Sequence, residues 1–344
     1  MKSKRVDPEF LGPLGGIPNM HFFWKQFHKK GDRLVGRPNK PMRALHLLLG
    51  ERIRDGIMST GSIGYGVRKL PSATGCVVGS DHMRNAQKFV QGRFFYITDL
   101  KHAYPSVDLE RLALLVTFLF NPEEYAEDIS LLFFADGDMN ALRETPLYWQ
   151  ILGLLECYFS GMYGKGLAIG GPLSPYLMNL YCEVYLDSRV RYWCEKHEIR
   201  YTRYVDDLVF SSAQEIDAGK RREIRKFVTN ALFTINHRKS KVLDRSKGTV
   251  FVTKVGLEQQ PGSDIARLVF PQKKRRRLHG AIQSYLVGQK EEPKIVSGLV
   301  GEFLYYYKTV QEKTATDWKT FALCKAFEAE WAKYRDGPAP RRQK

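Results

Sequence analysis

Cysteine is scarce in this sequence, with five cysteines among 344 residues. They are widely spaced, their number is odd, and none forms a C-x-x-C pair. This pattern argues against a zinc ribbon or a disulfide-stabilised scaffold, and it favours a reduced, cytoplasmic protein.

Long apolar runs and internal repeats are also missing. No stretch reaches the roughly 18 consecutive apolar residues that a membrane helix needs. Residues 1–20 are basic and then rich in glycine and proline, unlike a signal peptide. The composition, with 43% hydrophobic and 26% charged residues, is that of a globular chain, which excludes collagen-like and wholly disordered proteins. We therefore expect a protein without a membrane partner and with a sizeable core.

Acidic residues are few relative to basic ones. The chain has 54 Lys and Arg against 37 Asp and Glu, a formal net charge of +17. Residues 1–98 and 254–344 carry net charges of +11 and +8, whereas residues 99–253 carry −2. Basic flanks around a slightly acidic centre are typical of a cleft that binds RNA or DNA and keeps its carboxylates for metal ions. Ordinary solvated basic faces would give the same distribution.

Two segments place acids at the ends of apolar runs. Residues 203–210 are rich in β-branched and aromatic residues, and they predict two short strands joined by a tight turn that carries Asp206 and Asp207. The apolar run 94–98 predicts a buried strand that ends in Asp99. Asp99 either caps a turn or faces Asp206 across a site. In the second case, the two carboxylates would hold a pair of Mg²⁺ ions roughly 3.5–4 Å apart for phosphoryl transfer.

A glycine-rich loop lies between these acids. Residues 166–173 are followed by Ser174, a suitable helix N-cap, and by Pro175, a suitable first helical residue. Apolar positions then recur at helical spacing up to residue 186. Such a loop either forms a simple turn or lets the backbone approach a ligand closely.

In order and spacing, these segments resemble motifs A, B and C of reverse transcriptases. Residues 99–107 resemble motif A, residues 167–179 resemble motif B, and residues 204–207 resemble motif C. Residues 233–241 are similar to motif D of the bacterial enzymes, and residues 252–257 stand where motif E is expected.

Upstream similarities extend the resemblance to the retron and group II intron branch of the bacterial enzymes. They occur at residues 37–41, 64–68 and 85–86, so that the resemblance covers roughly residues 35–260. The short chain favours a retron or phage-defence enzyme, because mobile-element enzymes usually carry more domains. That step rests on analogy.

The resemblance implies an α+β right-hand polymerase with fingers, palm and thumb. Fingers would span residues 1–98, a palm on an antiparallel sheet residues 99–255, and a helical thumb residues 256–344. The basic run at residues 273–277 would place phosphate-binding charges on the thumb.

The resemblance also implies catalytic roles. Asp99 and Asp206 would ligate two Mg²⁺ ions, for which Mn²⁺ would substitute, and Asp207 would complete the acidic cluster. Lys239 would approach the triphosphate of the incoming nucleotide.

For the nucleotide itself, Tyr104 would be a steric gate that lies under the sugar and excludes a 2′-hydroxyl. Arg68 and Lys69 would contact the phosphates, and Gly170 would border the incoming dNTP. Each of these residues also has a purely structural interpretation. Tyr104 would then be a core tyrosine, Arg68 and Lys69 would be solvated cations, and Gly170 would be a turn glycine.

The function implied is RNA-directed DNA polymerisation, with an RNA template, a DNA or RNA primer and dNTPs. A noncoding RNA and an accessory protein are further expected partners. Two departures from the retron pattern weigh against that branch: Phe89 stands where Asn-Ala-x-x-His has histidine, and Lys254 stands where Val-Thr-Gly has glycine. A further departure from the family stands in motif B, where Ile169 replaces the usual glutamine. It prompts the alternative of template-independent or protein-templated DNA synthesis. A non-catalytic nucleic-acid-binding scaffold is the alternative of another class.

Overall fold

A computed structural model describes residues 24–30, 33–59, 70–120, 140–160, 165–260, 262–288 and 292–335. Arg68 and Lys69 lie outside these described residues. Contacts divide the chain into two compact units. Unit 1 comprises Met1–Asp81 with Phe94–Val242, and unit 2 comprises His82–Arg93 with Leu243–Lys344.

Strands and helices alternate along the chain. The strands are β1 (Trp24–Lys30), β2 (Arg33–Pro38), β3 (Phe94–Asp99), β4 (Arg200–Tyr204), β5 (Asp207–Ser212), β6 (Lys241–Asp244), β7 (Val250–Val252), β8 (Val255–Gln259) and β9 (Ala266–Val269). The α-helices are α1 (Lys40–Ser59), α2 (His82–Gln87), α3 (Leu109–Phe120), α4 (Asn140–Glu144), α5 (Pro146–Leu154), α6 (Ser174–Cys182), α7 (Ser188–Lys196), α8 (Ala218–Asn230), α9 (Gln272–Leu286), α10 (Pro293–Thr309) and α11 (Ala315–Arg335). Among the described residues, no helix is both long and apolar enough to cross a membrane.

Antiparallel pairing organises the sheet that carries the predicted acids. Its strand order is β4-β5-β3-β6, and β5 pairs antiparallel with both β3 and β4. Asp99 at the end of β3 stands opposite Asp207 at the start of β5. The predicted strands at residues 94–98 and 203–210 are therefore present, and they are neighbours.

Helices supply most of the core of unit 1. Helix α3 is apolar over most of its length, and its residues 112–119 are all buried, as expected of a helix surrounded by other elements. Helix α6 begins at Ser174, one residue earlier than predicted, with Leu173 at the N-cap. Because Ser174 lies inside the helix, its hydroxyl caps nothing, and it is buried without a hydrogen-bond partner in the part of the chain that the structure describes.

Two π-helical turns adjoin these helices. One, Leu155–Phe159, continues α5, and the other, Glu183–Asp187, joins α6 to α7. Such π turns commonly occur near functional sites. The second turn carries two buried carboxylates, Glu183 and Asp187.

Unit 2 combines a small sheet with a helical bundle. The sheet has the order β7-β8-β9, and α2 packs on it. Buried Arg245 joins its parts through hydrogen bonds to Gln259 and to the carbonyl oxygens of Val90 and Asp264. Helices α9, α10 and α11 pack on one another, which confirms the helical character expected for the C-terminal region from residue 272, whereas β8 and β9 precede them.

Because Glu183 is buried, we expect the stability of the protein to depend on pH. Its side chain is 1% exposed, one oxygen accepts a hydrogen bond from Arg191 at 2.9 Å, and the other has no hydrogen-bond partner among the described residues. Burial, with a smaller contribution from Asp187, raises its pKa from 4.5 to about 7. The folded protein thus binds a proton that the unfolded chain releases between these values. Stability is therefore lost as pH rises through this window.

Glu183→Gln is expected to remove this dependence. The free energy of unfolding in urea should fall between pH 5 and pH 8 in both proteins. The fall should be larger in the wild type than in the variant by on the order of 2 kcal/mol. Because the remaining titratable groups are common to both proteins, only the difference between the two pH profiles is interpreted. Identical profiles would contradict the assignment.

Candidate active site

Three carboxylates converge at one end of the central sheet. Asp99 and Asp207 face each other across the β3–β5 pair, and Asp206 lies in the turn between β4 and β5. The Leu100 amide donates to the Asp206 carbonyl at 2.9 Å, which ties that turn to the end of β3. One oxygen from each carboxylate lies within 4.8 Å of the others. Such a cluster is electrostatically costly unless a cation compensates it.

The turn differs from the sequence prediction, which placed both Asp206 and Asp207 in it. Tyr204 and Asp207 form the last pair of the β4–β5 ladder, so that only Val205 and Asp206 remain in the loop. Two-residue loops match the twist of paired strands, which explains why Asp207 joins β5. Val205 has φ +57°, a conformation that favours glycine. A β-branched residue there costs about 1–3 kcal/mol.

Lys239 is the immediate counter-ion of the cluster. Its Nζ lies 3.0 and 3.1 Å from the two carboxylate oxygens of Asp99. Asn236 donates its side-chain amide to Asp99 at 3.2 Å and its backbone amide to the Asp99 carbonyl at 2.7 Å. Because the side chain of Lys239 is 55% exposed, it has room to turn away when a divalent cation competes with it for Asp99 or when a phosphate attracts its ammonium group.

Tyr104 lies on the floor of the same region. It begins a short 3₁₀ turn, and its carbonyl accepts the Leu167 amide at 2.8 Å. Gly166 has φ +56°, and a Cβ there would lie 2.2 Å from the Pro105 carbonyl oxygen, so that only glycine allows this approach. Burial, followed by the nearby Cys76 and Asp206, raises the pKa of the Tyr104 phenol. The ring is therefore a neutral, half-buried surface.

A cleft of about 750 Å³ opens over these residues. Its lining includes two of the carboxylates, Asp99 and Asp206, and the less polar side chains Tyr104, Ile169 and Val205. The remaining charged or titratable lining residues are Lys101, His102, His237, Arg238 and Lys239. A lining that combines carboxylates with cations suits a ligand that brings both metal ions and phosphates. A volume of this size accommodates a nucleotide-sized molecule.

Gly170 stands beside the cleft and holds a strand close to it. The Gly36 amide on β2 donates to the Ile169 carbonyl at 2.7 Å. Gly170 has φ +102°, and a Cβ there would lie 2.2 Å from the Gly36 carbonyl oxygen. Ile169 lines the cleft in the position where the resemblance expects glutamine, so the wall is apolar there.

Sequence reasoning missed a buried ionic network behind the turn. Arg203 and Asp187 form an ion pair of 2.7 Å in which both side chains are 0% exposed. Asn179, on α6, accepts a hydrogen bond from Arg203 at 2.9 Å. The sequence signal that could have revealed this network is Arg203 itself, a charged residue in an otherwise inward-facing strand, immediately before the Tyr-x-Asp-Asp segment.

Comparisons with known proteins bear on this geometry. Residues 25–252 match the family described as "Reverse transcriptase (RNA-dependent DNA polymerase)". A curated relative, the Retron Mx65 reverse transcriptase of Myxococcus xanthus, is 27% identical over 240 residues, which cover 67% of this chain and 50% of the relative. The chain thus spans about half the length of that protein.

Among solved structures, two telomerases in complex with a TWJ fragment of telomeric RNA show similarity. The Candida albicans structure has a TM-score of 0.42 and 12% identity, over 89% of this chain and 59% of the telomerase. The Candida tropicalis structure has a TM-score of 0.40 and 13% identity, over 88% and 48%.

The family match covers well over half of the chain and includes the segments that resemble motifs A to D. It confirms the family inferred from those motifs. It also agrees with the mixed helical and antiparallel architecture expected of a right-hand polymerase. The chain belongs to the reverse transcriptase family.

Proposed function

We propose that this protein is an RNA-directed DNA polymerase that adds dNTPs to a DNA or RNA primer on an RNA template. The observation that carries the proposal is the carboxylate cluster of Asp99, Asp206 and Asp207, in a reverse transcriptase chain, at the edge of a nucleotide-sized cleft. Nucleotide addition needs charge compensation where the primer oxygen attacks and where pyrophosphate leaves.

Reverse transcriptases use divalent metal ions, and the carboxylate oxygens of the cluster are suitable ligands for such ions. Three carboxylates with oxygens within 4.8 Å offer the hard oxygen ligands that Mg²⁺ prefers. In our proposal Asp99 and Asp206 hold two Mg²⁺ ions, Asp207 adds negative charge, and Mn²⁺ substitutes. Asp207 does not line the cleft, which agrees with its lesser share. The bound ions would activate the primer hydroxyl and neutralise the leaving pyrophosphate.

Protein side chains position the nucleotide in this proposal. Tyr104 lies beneath the sugar and leaves no room for a 2′-hydroxyl. Lys239, which contacts Asp99 here, would turn to the triphosphate once cations compensated Asp99, and would donate a proton to the departing pyrophosphate. Gly170 keeps β2 near the nucleotide, and Arg68 and Lys69 contact its phosphates.

The proposed domains follow the chain. Residues 1–98 form the fingers, residues 99–255 the palm, and residues 256–344 the thumb. The last assignment is supported by the helices α9 to α11 and by the basic run at residues 273–277.

Within this run, the five cations divide into two groups. Lys274 is paired with Glu302, and Arg275 donates to Asp317 at 2.7 Å, so that both are engaged in holding the bundle together. The others are exposed to solvent, and they are Lys273, Arg276 and Arg277. Phosphate binding by the thumb should therefore depend on the exposed group.

Replacing Lys273, Arg276 and Arg277 together by alanine is expected to weaken binding of an RNA–DNA duplex. The dependence of log Kd on log salt should become less steep by about 2 to 3, since roughly one counterion is released per phosphate contact. Fluorescence anisotropy at several salt concentrations measures both quantities. The matched control replaces three other exposed lysines of unit 2, namely Lys294, Lys308 and Lys319. Equal slopes for the two triple variants would refute a localised phosphate site.

The biological setting is proposed from similarity to the retron enzyme. We place this protein in the cytoplasm, in a retron or another anti-phage defence system, together with a noncoding RNA and an accessory protein. The similarity to the Retron Mx65 reverse transcriptase supports the retron branch.

Template dependence tests the proposed activity. The purified protein is given a defined RNA template with an annealed primer, labelled dNTPs and Mg²⁺, with and without ribonuclease before the primer is extended. RNA-dependent polymerisation predicts product that copies the template and disappears when the template is digested. The apolar Ile169 wall favours one second candidate, template-independent synthesis, which predicts low-complexity product that survives ribonuclease. Duplex binding without incorporation under any primer would favour the non-catalytic scaffold.

A further inference from the structure

Arg203 is a fully buried cation whose bonding reaches the acidic turn. It is 0% exposed and lies one residue from the end of β4. Its Nε and Nη2 donate to the Asp187 carboxylate at 2.7–3.1 Å. Its Nη1 donates to Asn179 Oδ1 and to the Val205 carbonyl oxygen, both at 2.9 Å. A buried ion pair of this kind is weak evidence for stability alone, which directs attention to the groups it holds.

Val205 is the residue in this turn whose backbone conformation requires stabilisation by other groups. Its φ of +57° is unfavourable for a β-branched side chain, and two-residue hairpin loops ordinarily favour glycine where φ is positive. The Arg203 guanidinium fixes the Val205 carbonyl from inside the protein.

A second brace comes from the segment that contains Gly75. A Cβ at Gly75 would lie 2.7 Å from the Val205 amide nitrogen, so that this backbone packs directly on the turn. Asn179 donates to the Gly75 carbonyl at 2.9 Å while it accepts from Arg203. Asn179 therefore links both braces to helix α6.

Asp206 follows Val205 directly, so the strained residue determines where this carboxylate lies. Partners that orient metal ligands are commonly worth 10–100-fold in metal affinity or activity. We propose that Arg203, together with Asn179, is a positioning residue that holds Val205 in its left-handed conformation and so directs Asp206 toward Asp99. The inference rests on the proposed metal-dependent function and assigns the residues that set the geometry of its site.

Arg203→Lys tests the proposal with the buried charge retained. A lysine can still pair with Asp187, but its single nitrogen lacks the planar fork by which Arg203 bonds Asp187 through Nε and Nη2 and the turn through Nη1. Mn²⁺ binding to the full chain, measured by electron paramagnetic resonance without nucleotide, should weaken about tenfold. The control is Tyr201→Phe, which removes a 2.7 Å hydrogen bond to Asp187 without touching the turn. Tyr201→Phe should lower the melting temperature while leaving the Mn²⁺ affinity unchanged.

Relief of the strain supplies an independent readout. In a Val205→Gly background the turn adopts φ +57° without a brace, so Arg203→Lys should cost much less Mn²⁺ affinity there than in the parent chain. If Arg203→Lys fails to fold, Arg203→Met with Asp187→Leu replaces the pair by apolar residues and is tested in the same two backgrounds. Equal losses in both backgrounds, or Mn²⁺ affinity unchanged by the Arg203 variants, would overturn the proposal.

The failure of the proposed function is distinguishable from the failure of this inference. A wild-type chain that binds Mn²⁺ but incorporates no dNTP would refute the polymerase activity and leave the positioning test intact. A wild-type chain that incorporates dNTPs, with Arg203→Lys equal to it in Mn²⁺ affinity and in the Mg²⁺ concentration giving half-maximal rate, would refute the positioning role alone.

Discussion

Asp99→Asn and Asp206→Asn are each expected to lower the rate of dNTP incorporation by at least about 10³-fold, because each removes a ligand from the proposed pair of metal sites. Their folds should persist. Three carboxylates within 4.8 Å repel one another without cations, so neutralising Asp206 should leave the metal-free melting temperature unchanged or slightly higher. Single-turnover primer extension and thermal unfolding without metal measure the two quantities.

The control for these variants is Asp264→Asn, which neutralises an exposed carboxylate of unit 2. It should retain wild-type incorporation. Incorporation that persists in Asp206→Asn at the wild-type rate would remove the carboxylate cluster from the mechanism. A variant that fails to fold would instead show that the cluster serves the structure.

Tyr104→Val is expected to lower discrimination against ribonucleotides by roughly two orders of magnitude, since exclusion by shape is worth about 1–3 kcal/mol. Tyr104 lines the cleft together with Asp99 and Asp206, and the proposed steric gate assigns its half-buried ring to the space that a 2′-hydroxyl would need. The measurement is the ratio of kcat/KM for dCTP and CTP on the same RNA template and primer.

Tyr104→Phe is the matched variant for this prediction, because it keeps the ring and loses only the hydroxyl. It should discriminate nearly as well as the wild type. Equal ratios for Tyr104→Val and the wild type would show that another group excludes the ribose. A parallel loss in both variants would instead assign the effect to the phenol hydroxyl.

Much of the catalytic side of the site was predictable from the sequence. An apolar run ending in Asp99 and a strand-turn-strand pattern around Asp206 are local signals, since strand propensity and turn length are set by adjacent residues. Their order along the chain identified the family, which the match over residues 25–252 confirms. The α+β class followed in the same way. The roles of Tyr104 and Lys239 remain predictions.

The sequence could not show which cations form ion pairs within the protein and which are exposed and can bind phosphate. The basic run at residues 273–277 is continuous as a string, yet Lys274 and Arg275 face acids on neighbouring helices while Arg276 and Arg277 are exposed. Only the packing of α9 against α10 and α11 decides which side chains meet Glu302 and Asp317.

Local pattern by itself therefore determined the strands that end at Asp99 and flank Asp206, the helix after the glycine-rich loop and the helices of the C-terminal region. The tertiary structure decided the β3–β5 register that sets Asp99 opposite Asp207, and it packed the segment around Gly75 onto the strained turn at Val205. It also decided the pairing of Arg203 with Asp187. The physical reason is that a burial cost, a strained φ and an ion pair depend on groups distant in sequence, whose approach is set by packing of the whole unit.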